Sequence, residues 1–291
     1  MKLIILGLII TIIILLIRTK EKFSYKNNTK KIAFCFLIYD KINNEEIWYN
    51  YFKNIDKQKY SIYIHHKENK PLKYFESYKI QDIVSSTRWC GKSLVKAQNK
   101  LLESAIKDKD NKHFIFISNS CIPLKSFEYS YNILNPDYSY FNKNKTYTKT
   151  FTSNIKAHKS SQWCILNRKH TQTILKNEKI LNEILFHWDK SNPNYYFIRG
   201  CPDEYTYISI LYHLGLENEL KITNNLSLNA TTFTLKLENK FFTKSNIKKQ
   251  PNGPNIYNYI CNEELDYLTK SKSLFGRKFI DNCGGLENLQ L

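Results

Sequence analysis

Eight consecutive residues, IAFCFLIY at 32–39, carry no charged side chain. A strand with one wet face alternates apolar and polar residues, so an unbroken run of this length reads as a strand buried on both faces. Such a strand needs helices on both sides of its sheet, and the following sequence supplies them. Residues Glu45 to Lys53 place Ile47, Trp48 and Tyr51 at helical spacing, YSIYIHH (60–66) is a second strand, and IVSS (83–86) a short third. SLVKAQNKLLESAIK (93–107) is an amphipathic helix with Ser93 as its cap and Leu94, Ala97, Leu101 and Ile106 on one face. HFIFIS (113–118) and QWCILNR (162–168) read as further strands, and residues 170–185 as a helix. DEYTYISILYHLGL (203–216) is another helix, with acids in its first turn as the helix dipole favours. Strands alternating with helices predict an α/β fold: a mostly parallel central sheet flanked by helices. Ligands in such folds sit beyond the carboxyl ends of the strands, which points at His65–His66, Ser118–Cys121 and the loop before Asp203.

A different kind of segment precedes this pattern. Leu3 to Ile17 is almost unbroken apolar sequence, with Lys2 before it and Arg18, Lys20 and Lys22 after it. It reads as a signal-anchor transmembrane helix over 1–18, short enough to need snorkelling flanks. A cleaved signal peptide is the competitor, but RTKEKFSY offers no small-x-small cleavage site. Residues 19–30 read as a short polar stem, and 31–291 as one domain, since 291 residues leave little room for a second core. More positive side chains follow the apolar run than precede it, which by the positive-inside rule argues against a lumenal domain. Sequons at Asn27, Asn144, Asn225 and Asn229 carry little weight in so Asn-rich a chain.

The formal net charge of +18 favours anionic partners. Its basic residues are dispersed, however, and no zinc-finger spacing, RNP motif or basic zipper is present, so nucleic acid is not an expected partner. None of the seven cysteines forms a C-x-x-C or a zinc-spaced Cys/His set. Cys35, Cys121 and Cys164 lie in apolar strand-like sequence as buried thiols, and Cys261–Cys283 is a guess at a disulfide. No G-x-S-x-G or H-E-x-x-H motif supports a hydrolase, and no carboxylate pair has spacing suggestive of glycoside cleavage.

Seven segments in one order, KIAFCFLIYD, YSIYIHHK, RWCGKSLVKAQNKLL, HFIFISNSCIPL, SSQWCILNRKH, CPDEYTY and LFGRKF, resemble the core-2/I-branching β-1,6-N-acetylglucosaminyltransferase family (glycosyltransferase family 14), especially its divergent plant-type branch. The likeness runs from about Lys31 to Phe279. It implies a GT-A-like fold, a UDP-sugar donor, a glycan or glycoprotein acceptor, inversion at the anomeric carbon, and no metal or other cofactor. It also implies a type II membrane protein with its catalytic domain in the ER/Golgi lumen. In the P-D-E-Y frame the family's base falls on Glu204, beside Asp203, and the C-terminal lysine that neutralises diphosphate falls on Lys278, beside Arg277. A carboxylate suits an inverting transfer, which must take a proton from the attacking hydroxyl. The bland alternative is that Asp203 and Glu204 merely complement a helix dipole.

His65 stands where the animal enzymes have Asp; plant-type members also have His, and a nucleotide contact or a packed histidine are both open for it. Ser118 and Ser120 are expected to line the site. Trp163 reads as a sugar platform or a core residue, with core preferred, and Trp89 is judged alike. Asp108–Lys109–Asp110 precedes its strand, opposite the expected site, and reads as a solvated turn; SNSC, after the strand, holds no carboxylate. The family's second basic residue has no clear counterpart in 226–261. Beside the transferase stand two other readings, an inactive glycan- or nucleotide-binding protein on the same scaffold and a basic nucleic-acid-binding membrane protein.

Overall fold

A computed structural model of the chain describes residues 11–13, 30–151, 154–188, 200–223, 232–234, 245–248 and 256–291. The predicted membrane span lies outside these residues except for 11–13, which are helical. Among the described residues no helix is long and apolar enough to cross a membrane.

The strands are β1 (Lys31–Ile38), β2 (Tyr60–His66), β3 (Asn111–Ser118), β4 (Cys121–Pro123), β5 (Ser139–Thr150), β6 (Lys156–Ser160), β7 (Ile165–Asn167) and β8 (Leu220–Thr223), followed by β9 (Thr232–Thr234), β10 (Asn246–Lys248), β11 (Ile256–Tyr259), β12 (Phe275–Arg277) and β13 (Phe279–Gly284). The helices are α1 (Glu45–Phe52), α2 (Lys92–Ala105), α3 (Phe127–Ile133), α4 (Arg168–Lys176), α5 (Glu178–Phe186), α6 (Thr206–His213) and α7 (Asn262–Lys270). The central sheet runs β2-β1-β3-β7-β5-β6, with β8 paired to β5. Strand order therefore reverses at β1, whose two neighbours are both parallel to it. That reversal opens a crevice at the carboxyl ends of β1 and β3.

The sheet is mixed, not mostly parallel as predicted. β1–β2, β1–β3 and β5–β8 are parallel, whereas β3–β7, β5–β7 and β5–β6 are antiparallel. Connection length explains the direction of β6 against β5. The β1–β2 and β2–β3 links contain α1 and α2 and can cross over, but only 151–155 separate β5 from β6. A parallel connection needs about a dozen residues or more, so this short link reverses direction.

β1 is buried on both faces, as its sequence requires. Ala33 and Cys35 pack with Phe114, Phe116, Ala97, Leu101 and Tyr207 on one side. Ile32, Phe34 and Phe36 pack with Trp48, Phe52, Phe127 and Phe275 on the other. β4 and β12 pair antiparallel, fastening the C-terminal segment to the turn after β3.

Four local expectations fail for identifiable reasons. IVSS is not a strand: the Val84 N–H donates to His65 Nε2 at 2.9 Å, so a side chain holds the segment. α2 is capped by Gly91, while Ser93 Oγ accepts instead from the Arg88 N–H at 2.9 Å. The helix expected over 170–185 is two helices, because Asn177 turns back and donates through its side-chain amide to the Thr173 carbonyl at 2.8 Å. Cys261 and Cys283 are buried free thiols, and the disulfide is Cys90–Cys201, across 111 residues of sequence.

Candidate functional site

One row of the sheet carries the first site residues together. Leu37 on β1 pairs with His65 on one side and Ser118 on the other. The chain turns after Ser118 into β4, where Cys121 pairs with Arg277 of β12. Arg277 is thereby delivered from the distant C-terminal segment to the carboxyl end of β3. Its Nε donates to Ser118 Oγ at 3.1 Å, and its guanidinium lies 4.8 Å over the Trp163 ring. Ser118 Oγ also lies 3.2 Å from Ser120 Oγ and 3.1 Å from Cys121 Sγ, which makes it the hub of this turn.

Lys278 follows directly. Burial, and secondarily the Arg277 charge, hold its ammonium below the usual lysine range. Arg277 is likewise lowered by burial. Among the described residues no carboxylate forms an ion pair with either cation. Two adjacent, half-buried cations without an anionic partner form a site suited to a polyanion.

The acids stand on a 3₁₀ turn, Pro202–Glu204, at the start of α6. Glu204 Oε2 accepts from the Cys201 N–H at 3.0 Å and pairs with Lys159 Nζ on β6 at 3.2 Å. Its carboxylate is thus fixed from two directions while the side chain stays 30% exposed. Gly200 is part of the same construction. Its φ of +134° is one that side chains rarely adopt, and a Cβ there would lie 2.7 Å from Glu204 Oε2 and 2.8 Å from the Tyr205 ring. Gly200→Ala should therefore displace the carboxylate; turnover falls by about 100-fold if that group acts on substrate, since misplacements near 1 Å cost that much. UDP affinity, measured by calorimetry, should stay at the wild-type level.

Asp203 faces inward. It is 6% exposed, and its Oδ1 has no hydrogen-bond partner among the described residues. Burial first, and the Glu204 charge second, push its carboxyl up to about 7, against the opposing pull of Arg277 and Lys159. Because the folded value lies above the unfolded one, near 3.9, this group's contribution to stability is full below pH 4 and is lost as pH rises to about 7. Asp203→Asn should remove that loss, worth on the order of a few kcal/mol. Comparing wild type and variant by denaturant unfolding from pH 4 to 8 isolates this term from the histidines, which titrate in the opposite sense.

The structure thus brings together Asp203, Glu204, Arg277, Lys278, Ser118, Ser120 and Trp163, with His65 in the adjoining strand row. His65 is fully buried, accepts from Val84 and is pushed down to about 4 by burial, so it packs as a neutral ring. Trp163 is 4% exposed and backs Arg277; it is a core residue, as preferred from sequence. Trp89 is the opposite, 89% exposed. Lys159 was not anticipated, because KAHKS lacks an apolar run and its strand is marked only by the inward Ala157. Asp108 pairs with Lys31 at 2.9 Å, at the end of the sheet opposite the site. Among the described residues no three His, Cys, Asp or Glu side chains converge.

Three similarities to known proteins are found. A sequence model described as Branch: Core-2/I-Branching enzyme matches residues 32–144, the segment holding β1 to β4. Glycosyltransferase BC10 of Oryza sativa subsp. japonica is 27% identical over 220 residues, which is 65% of this chain and 55% of that protein. The chain therefore spans about half the length of this curated relative. The crystal structure of a glycosyltransferase involved in the glycosylation of the major capsid of PBCV-1 aligns at 8% identity and a TM-score of 0.40, covering 84% of this chain and 92% of that one. The chain is thus similar to core-2/I-branching enzymes over residues 32–144 and to a rice glycosyltransferase over 220 residues.

Proposed function

We propose that the chain transfers a sugar from a UDP-sugar to a hydroxyl of a glycan or glycoprotein, with inversion at the anomeric carbon. One observation supports this reading: two cations that form no ion pair among the described residues sit at the carboxyl ends of β1 and β3, and a fixed carboxylate stands in the neighbouring turn. In this mechanism Glu204 takes the proton from the acceptor hydroxyl. The freed oxygen attacks the anomeric carbon on the face opposite the nucleotide. The bond from that carbon to the β-phosphate oxygen breaks, and its electron pair leaves with UDP. Lys278 and Arg277 offset the charge developing on the diphosphate, a role filled elsewhere by a metal ion. Arg277 is held for this by Ser118 and Trp163, and Asp203 in turn sits within the field of Arg277.

N-acetylglucosamine is the proposed donor sugar, with xylose and glucuronic acid as the alternatives that the plant-type resemblance suggests. The reading includes the N-terminal signal anchor and a lumenal domain. The full chain in detergent, incubated with UDP-N-acetylglucosamine, UDP-xylose and UDP-glucuronic acid in excess EDTA, should release UDP from at least one. Turnover that appears only when Mn²⁺ is restored would contradict the cationic mechanism. Binding of UDP without turnover of any of the three would favour the inactive scaffold.

A further inference from the structure

Trp89 leaves the largest side chain available to proteins in water, although packing it would bury considerable apolar area. Its loop is nevertheless firmly held. Thr87 is buried, the Arg88 N–H donates to Ser93 Oγ at 2.9 Å, and the Gly91 N–H donates to the Arg88 carbonyl at 3.1 Å. Cys90, at φ +57°, is bonded to Cys201 with a Cα–Cα distance of 4.5 Å. Neighbouring Cα atoms are about 3.8 Å apart, so the Trp89 Cα lies at most about 8 Å from that of Cys201. Cys201 is the residue whose N–H grips the Glu204 carboxylate. The disulfide therefore ties an outward-facing indole to the turn that carries the proposed base.

We propose that Trp89 is a stacking platform for a pyranose ring of the acceptor glycan, beside the hydroxyl that Glu204 deprotonates. The inference rests on the sugar-transfer reading and extends it to the acceptor side. A pyranose presents a face of C–H groups, and the electron-rich face of indole attracts them while covering apolar surface. A protein-docking role fits less well, since Ser85, Ser86 and Arg88 around it are exposed polar residues and form no continuous apolar patch. Stacking on a neutral sugar is also insensitive to salt, unlike attraction to the +18 net charge.

The test titrates lactose, N-acetyllactosamine and xylobiose into the full chain in detergent, without donor, by saturation-transfer NMR. Wild type should bind at least one of them; Trp89→Ala should weaken that binding about tenfold, the value of a good aromatic contact. Trp89→Phe should recover most of it, and added salt should leave it unchanged. Equal affinity in Trp89→Ala, or a wild type that binds none of the three, overturns the proposal. A merely structural tryptophan would lower the melting temperature in Trp89→Ala, which an exposed platform does not. UDP titrated into wild type reports separately: if UDP fails to bind, the transferase reading falls, whatever the sugars do.

Discussion

Glu204→Gln should lower kcat by about 10²- to 10⁴-fold, the range that a positioned proton acceptor contributes. The substitution is chosen for what it keeps. Glutamine has the same length and retains a carbonyl oxygen to accept from the Cys201 N–H. It loses the proton-accepting oxygen and the ion pair with Lys159, and a partly exposed pair is worth about 0.2 to 1 kcal/mol. Folding and UDP affinity should therefore stay close to wild type while single-turnover transfer collapses. Alanine would be a poorer probe, because it also strands the Cys201 N–H. A Gln variant that transfers sugar at more than about a tenth of the wild-type rate would remove Glu204 from the role of base.

The second large effect is expected at the cation pair. Lys278→Ala should weaken UDP binding by about 10- to 100-fold, as loss of a hydrogen bond to a charged group costs roughly 1.5 to 3 kcal/mol. The unliganded protein should not melt lower, and here the role becomes distinctive. A half-buried ammonium with no ion pair among the described residues is a desolvation cost in the free protein, so its removal relieves that cost and harms only the complex. Arg277→Ala should behave differently, lowering both UDP affinity and stability, because it strips Ser118 of a donor and Trp163 of its cover. Affinity for UDP should also fall as pH rises. The ammonium form of Lys278 is the one that attracts phosphate, and its titration lies below the usual lysine range. Calorimetry across pH in wild type and both variants, with melting curves of the free proteins, reads all of these outcomes. A Lys278→Ala protein that melts lower and binds UDP normally would make the lysine a structural residue.

The strands β1, β2 and β3 were legible in the sequence almost to the residue. β2 spans the expected 60–66, and β1 and β3 start only slightly earlier than expected. Runs such as IAFCFLIY admit few other fates, because any other placement exposes them. Sheet direction was not legible, because β5 and β6 are too polar to announce themselves as strands. Strand ends pointed to Ser118, and the LFGRKF frame to Arg277 and Lys278. Their meeting depends on the β4–β12 pairing across more than half the chain, which no local pattern encodes. The two tryptophans show the same limit. Trp89 and Trp163 stand in similar local sequence, yet one backs an arginine and the other faces water, because a disulfide between distant cysteines fixes the first loop. Cysteine spacing cannot reveal such a bridge, and the nearer pair Cys261 and Cys283 remains reduced.

The most direct measurement is a crystal structure of the protein with UDP bound in the absence of divalent cations. The account predicts the diphosphate at the carboxyl ends of β1 and β3, with its oxygens about 2.7 to 2.9 Å from Lys278 Nζ or the Arg277 guanidinium. Glu204 should stand free of the nucleotide, facing the acceptor side. UDP bound elsewhere on the chain, or held here with both cations turned away from its phosphates, would contradict it.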